Sequence, residues 1–204
     1  MRFFKLLLLL FICGCVSTSP FAGVVNLYEA KGSTLVCFGD SLTAGAGADI
    51  LESYPRQLQA RVKLTVINAG VSGDTTASAL LRLEEEVLLY QPRIVIVELG
   101  GNDFIRRVPP SETFDNLSRI IDKIQEKKAI VMLLVMPLGV NYENAYKRLG
   151  RQKGCLVMED LMKEIFEDKS LMADELHPNA AGYKLMAERI AGTLKELLAV
   201  AAGD

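Results

Sequence analysis

Five short apolar runs, set apart by longer amphipathic stretches, constrain this chain more than any other feature: Thr34 to Phe38, Leu64 to Ile67, Arg93 to Val97, Ala129 to Val135 and, more weakly, Cys155 to Met158. The runs are β-branched and continuous rather than alternating, the pattern of strands buried on both faces of a parallel sheet. Between them, apolar residues recur at helical spacing in Tyr54 to Val62, Thr76 to Tyr90, Thr113 to Lys127 and around Asn144 to Gln152. A last helix is expected from about Pro178 to Leu198, with Pro178 in its first turn. Pro109-Pro110 is expected to end a loop before the third main helix, and Pro137 to close the fourth strand. Regular alternation of strand and helix dictates βαβ units. The predicted architecture is a three-layer α/β/α sandwich around a parallel, flavodoxin-like sheet of five strands. With 204 residues, half of them hydrophobic, one well-buried domain is expected rather than two.

The first residues read differently. Met1, Arg2 and Lys5 give a positive start, Leu6 to Ile12 an apolar core, and Gly14-Cys15 follows, which is the pattern of an export signal. The apolar run is shorter than the ~20 residues that a spanning helix needs. Ile12-Cys13-Gly14-Cys15 is also similar to a lipobox, in which a small residue precedes a cysteine that becomes lipid-modified and then the new N-terminus. Cys15 fits that role, and Cys13, preceded by Ile12, does not; the plainer alternative is a cleaved secretory signal whose cysteines are incidental. Residues 1–14 are thus expected to be a signal peptide, 15–31 a lipidated cysteine and short tether rich in Ser, Thr, Pro and Gly, and 32–200 the folded domain. That reading places the protein in the cell envelope, held at a membrane by its anchor.

Cleavage before Cys15 removes Arg2 and Lys5 and leaves 21 basic against 25 acidic residues, a net charge of −4. Nothing is basic enough to suggest a nucleic-acid partner. Cys37 and Cys155 both lie in apolar runs and read as two buried free thiols; a single bridge is the alternative, and two cysteines do not make a disulfide framework. One histidine and scattered cysteines supply no zinc ligand set, so no metal and no cofactor is expected.

In open parallel sheets, ligands collect at the carboxyl ends of the strands. The segments that follow the first three strands are Gly39-Asp40-Ser41-Leu42, Asn68-Ala69-Gly70-Val71-Ser72-Gly73 and Leu99-Gly100-Gly101-Asn102-Asp103. They combine small residues, which let backbone approach a ligand, with a hydroxyl and a carboxamide. Just before the last helix comes Asp174-Glu175-Leu176-His177-Pro178, with the only imidazole in the chain. A hydroxyl, an imidazole and a carboxylate are the three parts of a nucleophilic hydrolase.

Through Phe38-Gly39-Asp40-Ser41-Leu42-Thr43, Gly73, Gly100-Gly101-Asn102-Asp103 and Asp174-Glu175-Leu176-His177, the chain resembles the SGNH, or GDSL, hydrolase family. Four blocks in family order span about Thr34 to Leu198. Gln91-Pro92-Arg93 and Val97-Glu98-Leu99 before the third block are most similar to the bacterial thioesterase I, lysophospholipase L1 and arylesterase group. The resemblance implies Ser41 as nucleophile, His177 as general base and then acid, and Asp174 as the carboxylate that orients His177. It implies an oxyanion hole made of the backbone N–H groups of Ser41 and Gly73 and the side-chain amide of Asn102. The function it implies is hydrolysis of carboxylic esters or thioesters, of small molecules or of lipids such as a lysophospholipid, through an acyl-Ser41 intermediate.

Other uses compete at each position. Ser41 alone could be a helix N-cap and Asn102 a turn residue, and Asp40 and Asp103 read as ties within their loops. Ser72 begins like another class of nucleophile elbow, but Asp74 stands where the closing glycine belongs. Gly45-Ala46-Gly47 lacks the rest of a phosphate-binding fingerprint. Two alternatives stay open as functions: a carbohydrate O-acetyl esterase of the envelope, and, outside enzymes, a flavodoxin-like binding lipoprotein. The segments Phe104 to Pro110 and Leu138 to Tyr142 are expected to border the substrate groove, with Arg106 or Arg107 available to an anionic group.

Overall fold

The computed structural model describes residues 21–203. The expected signal peptide, Cys13, Cys15 and the first part of the expected tether lie outside the described residues. Five strands, β1 (Thr34–Gly39), β2 (Thr65–Gly70), β3 (Ile94–Glu98), β4 (Ile130–Leu134) and β5 (Leu156–Met158), form one sheet. All neighbours are parallel and the order is β2-β1-β3-β4-β5. The helices are α1 (Ser41–Ala44), α2 (Tyr54–Gln59), α3 (Thr76–Glu86), α4 (Gly101–Ile105), α5 (Pro110–Glu126), α6 (Val140–Lys153) and α7 (Ala180–Ala202). The three-layer sandwich expected from the sequence is present.

Both faces of the three inner strands are buried, which explains why their sequences read as unbroken apolar runs. Side chains alternate between two cores. Val36, Phe38, Val95, Val97, Val131 and Leu133 face one cluster, with Leu117, Ile120, Ile121 and Ile124 of α5. Leu35, Cys37, Ile94, Ile96, Ile130 and Met132 face the other, with Tyr183, Met186, Ile190 and Leu194 of α7. The spacing of three and four on each helix is the stripe that a covering helix presents to a sheet. Each fully buried Ile or Leu contributes roughly 1.5–3 kcal/mol relative to exposure. β2, at the edge, keeps Thr65 and Asn68 exposed. Cys37 and Cys155 are buried free thiols, and burial pushes both pKa values up, that of Cys155 to about 12.

Several boundaries differ from those expected. The helix predicted through Tyr90 ends at Glu86, and Leu88–Tyr90 makes a separate 3₁₀ turn. Val87 leaves the helix to bury its side chain fully, and Pro92 excludes helical backbone at Gln91, which takes φ +49°. Pro110 opens α5 instead of ending a loop, since the first helical position needs no N–H. The last helix starts at Ala180, not Pro178, because the Asn179 side chain accepts from the N–H groups of Ala181 and Gly182 and caps it. The expected tether also ends early. Phe21, Leu27 and Ala30 are buried in the α7-side core. Val25 N–H donates to Gly154 O (2.9 Å), and Asn26 Nδ2 to Gln125 O and Ala129 O (2.9 and 3.0 Å), at the amino ends of β5 and β4. Among the described residues, no helix is long and apolar enough to cross a membrane.

Candidate active site

The strand order reverses between β1 and β3, and the loops that leave their carboxyl ends diverge to open a crevice there. β1 ends at Gly39, where a side chain would collide with the Glu98 backbone and Thr43. Asp40 follows as N-cap, its Oδ1 accepting from Leu42 N–H (3.2 Å), and Ser41 opens α1. α1 presses against the end of β2 at Gly70, where any Cβ would overlap Thr43 and Ala44. Ser41 therefore stands at the carboxyl edge of the sheet on a turn that glycines on both sides make possible.

His177 comes from the loop before α7. Ala173 N–H donates to His177 O (2.9 Å), closing a tight loop, and Asp174 Oδ1 accepts from the backbone N–H groups of Leu176 (2.7 Å) and His177 (2.8 Å). His177 Nδ1 lies 2.9 Å from Asp174 Oδ2, and Nε2 lies 2.9 Å from Ser41 Oγ. With Nδ1–H donating to the carboxylate, Nε2 is the acceptor for the Ser41 hydroxyl. The His177 side chain beside Asp174, helped by the Leu176 N–H, holds the Asp174 carboxyl down to about 2.

Asn102 sits in α4, which starts after Gly100 in the left-handed region (φ +111°). A side chain at Gly100 would strike the Tyr146 hydroxyl, which donates to Leu99 O at 2.6 Å. Asn102 Nδ2 donates to Asp40 Oδ2 (3.0 Å). Gly73 has φ +82°, and Arg106 Nη2 donates to its carbonyl (2.8 Å). Asp103 is buried and accepts from Thr76 N–H (2.9 Å) and from the Thr76 hydroxyl (2.6 Å), so it ties two loops together.

Ser41, Gly73, Asn102 and His177 share one cavity of about 450 Å³. Its other walls are largely apolar, with Phe104, Ile105, Met136, Leu138, Phe166 and Leu176. Of the expected groove segments, Phe104, Ile105 and Leu138 line this cavity. Arg107 lies in an adjoining hollow, and Tyr142 is buried against Phe104 with ring centroids 5.2 Å apart. Phe166 comes from the irregular segment after β5, whose lack of periodicity gives no sign of it. Glu98, fully buried beneath Ser41, enters the sequence reading only as part of Val97-Glu98-Leu99, with no role of its own; a lone charge at the end of a β-branched run is the signal that marks it.

Residues 37–185 match the model of the GDSL-like lipase/acylhydrolase family. The chain is 30% identical to Esterase TesA of Pseudomonas aeruginosa over 203 residues, covering 93% of this chain and 98% of the relative. It is also 30% identical to thioesterase 1/protease 1/lysophospholipase L1 of Escherichia coli over 189 residues, 87% of this chain and 91% of the relative. Among solved structures, the psychrotrophic esterase EstA from Pseudoalteromonas sp., inhibited by monoethylphosphonate, superposes with a TM-score of 0.74 at 28% identity, covering 82% of this chain and 99% of that one.

Proposed function

The chain belongs to the GDSL-like lipase/acylhydrolase family and is a serine esterase, and from this premise we propose that Ser41, His177 and Asp174 carry its chemistry. A serine hydroxyl is a poor nucleophile until a base removes its proton. His177 Nε2 takes that proton as Ser41 Oγ bonds to the acyl carbon, and the carbonyl π pair moves onto oxygen. Three donors are available to that oxyanion: the N–H groups of Ser41 and Gly73, and the Asn102 amide hydrogen that does not bind Asp40. Each such donor is worth roughly 10²–10³ in rate. The oxyanion collapses, the bond to the leaving alcohol or thiol breaks, and His177 returns its proton to the leaving atom. Water then attacks the acyl-Ser41 ester as His177 takes its proton; the bond from the acyl carbon to Ser41 Oγ breaks, His177 returns the proton to Oγ, and the acid leaves. Asp174 stays ionised and fixes the imidazole tautomer throughout.

The single observation that carries this reading is the Asp174–His177–Ser41 chain of hydrogen bonds opening into an apolar cavity. The apolar walls favour an acyl chain over an acetylated sugar as the group held there. A serine-directed fluorophosphonate should label the protein, and Ser41→Ala should abolish labelling; persistent labelling of that variant would overturn the assignment.

The lipid anchor at Cys15 belongs to the same proposal and rests on Ile12-Cys13-Gly14-Cys15. Phe21 to Ala30 packs at the amino ends of the strands, so an anchor at Cys15 would attach the domain at the end opposite the cavity. Incorporation of labelled fatty acid into the wild type, and its loss in Cys15→Ser, tests the anchor.

A further inference from the structure

Beneath Ser41 lies a pair of carboxyl groups that the reaction as written does not use. Glu98 ends the central strand β3 with no exposed surface, and Asp40 is 3% exposed. Glu98 Oε2 accepts from Asp40 N–H (3.3 Å) and from the Thr43 hydroxyl (2.9 Å), and Thr43 Oγ1 lies 3.1 Å from the Tyr54 hydroxyl. Glu98 Oε1 is buried, and no donor among the described residues reaches it. The Asp40 carboxyl lies within hydrogen-bonding reach of the Glu98 carboxyl. Asp40 in turn accepts from Leu42 N–H and from Asn102 Nδ2.

Two adjacent carboxyls in a dry site do not both ionise, because like charges and burial each oppose the second charge. The proton belongs on Glu98. Burial first, and then the Asp40 charge, push Glu98 well above the ordinary carboxylate range, and the titratable side chains that feel its charge, Tyr54, Tyr146 and Tyr183, are not cationic. Burial also raises Asp40, but the Leu42 N–H, Glu98, Asn102 and the His177 ring all favour its ionised form. A buried carboxylate oxygen that meets no donor, as Glu98 Oε1 does, has nothing to offset a charge.

We propose that Glu98 is a positioning residue: as a neutral carboxylic acid it donates to the Asp40 carboxylate and thereby fixes the orientation of the Asn102 amide. The proposal rests on the reading of Asn102 as an oxyanion donor. An ionised Asp40 has only acceptors to offer, so Asn102 must turn its NH₂ toward Asp40, which keeps the second N–H for the substrate oxygen. If Asp40 held the proton instead, it would donate to the amide oxygen, the amide would turn over, and the substrate would lose its geometry. The charge on Asp40 thus selects one of two amide orientations, and Glu98 keeps that charge in place.

Infrared spectra of the intact protein at neutral pH should show the carbonyl stretch of a protonated carboxyl group, and Glu98→Gln should remove it. Glutamine preserves both the acceptor and a donor to Asp40, so Glu98→Gln should keep kcat within about threefold, whereas Glu98→Leu should lower kcat about 10- to 100-fold with little change in KM. In an Asn102→Ala background, Glu98→Leu should cost almost nothing more. A missing protonated-carboxyl band, equal damage in the Gln and Leu variants, or full additivity with Asn102→Ala would overturn the positioning role. An Asn102→Ala variant with unchanged kcat would instead overturn the oxyanion reading, and the positioning role with it. The band and the glutamine variant decide the matter even if the leucine variant fails to fold.

Discussion

His177 Nε2 lies 2.9 Å from Ser41 Oγ although 136 positions separate them, and Gly47 is one of the residues that brings their loops together. Gly47 has φ +91°, and a Cβ there would come within 2.7 Å of Pro178 O and 3.0 Å of His177 Cβ. Tyr183 holds the same loop by donating to Ala46 O at 2.6 Å. A side chain at position 47 must push the His177 loop away from Ser41. Gly47→Ala should therefore lower kcat about 10- to 100-fold and destabilise the fold by only about 1–2 kcal/mol. Comparing kcat with a thermal melt of the same variant checks both numbers, and unchanged kcat would show that the imidazole is placed by its own loop alone.

The pH dependence follows from Asp174. Hydrogen bonds from His177 and Leu176 lower its pKa from 3.8 to about 2. A depressed carboxylate contributes stability above its unfolded pKa, and that contribution is lost as pH falls through the folded value, here between about 4 and about 2. Asp174 therefore stays ionised across the working range, and its protonation should leave no step in kcat/KM between pH 4 and 9. An acid limb steeper in the wild type than in Asp174→Asn within that range would mean that Asp174 titrates there. Asp174→Asn removes the acceptor for Nδ1–H and should cost about 10²–10⁴ in kcat.

Arg82 joins the ends of the two strands that carry Ser41 and Gly73. Its guanidinium donates to Gly39 O (3.1 Å) and Ala69 O (2.9 Å), pairs with the buried Asp74 (2.7 Å), and lies 4.6 Å from the centroid of the Phe38 ring. Asp74 is 6% exposed, so removing its partner leaves a buried charge uncompensated. Arg82→Leu should cost about 3 kcal/mol in urea unfolding. Arg82→Lys supplies the charge without the planar fork and should fall between the two. A loss under 1 kcal/mol for the leucine variant would place this network among the weak surface pairs.

The legibility of the site follows strand ends. Ser41 and Asn102 follow runs buried on both faces and Gly73 follows the edge strand β2; a parallel sheet brings such ends together, while the roles expected of these residues came from the family resemblance. Asp40 and Asp103 read as loop ties, and both make those hydrogen bonds. Glu98 reads only as part of a motif, because its charge marks the end of an apolar run and the predicted strand stops at Val97; β3 includes it because a protonated or well-bonded carboxyl tolerates burial. Arg82 lies within the predicted helix Thr76 to Tyr90, and nothing in that pattern shows that it reaches the ends of β1 and β2. Phe166 and Leu176 sit in segments without periodicity, and only the folded chain shows that they wall the cavity.

Those walls set the last expectation, which concerns chain length. Phe104, Ile105, Met136, Leu138, Phe166 and Leu176 offer apolar contact beside Ser41 in a cavity of about 450 Å³. Each methylene that moves from water into such a surface gains about 0.8 kcal/mol, a factor of about four in kcat/KM. In a series of p-nitrophenyl esters, kcat/KM should rise by up to about fourfold per methylene until the cavity is filled, and then level off. Leu138→Asp, which puts a charge on the wall without touching Ser41 or His177, should flatten that slope while leaving the short esters nearly unchanged. A preference for acetyl esters over every longer chain in the wild type would instead favour an O-acetyl substrate, because the apolar wall would then contribute nothing to the reacting acyl group.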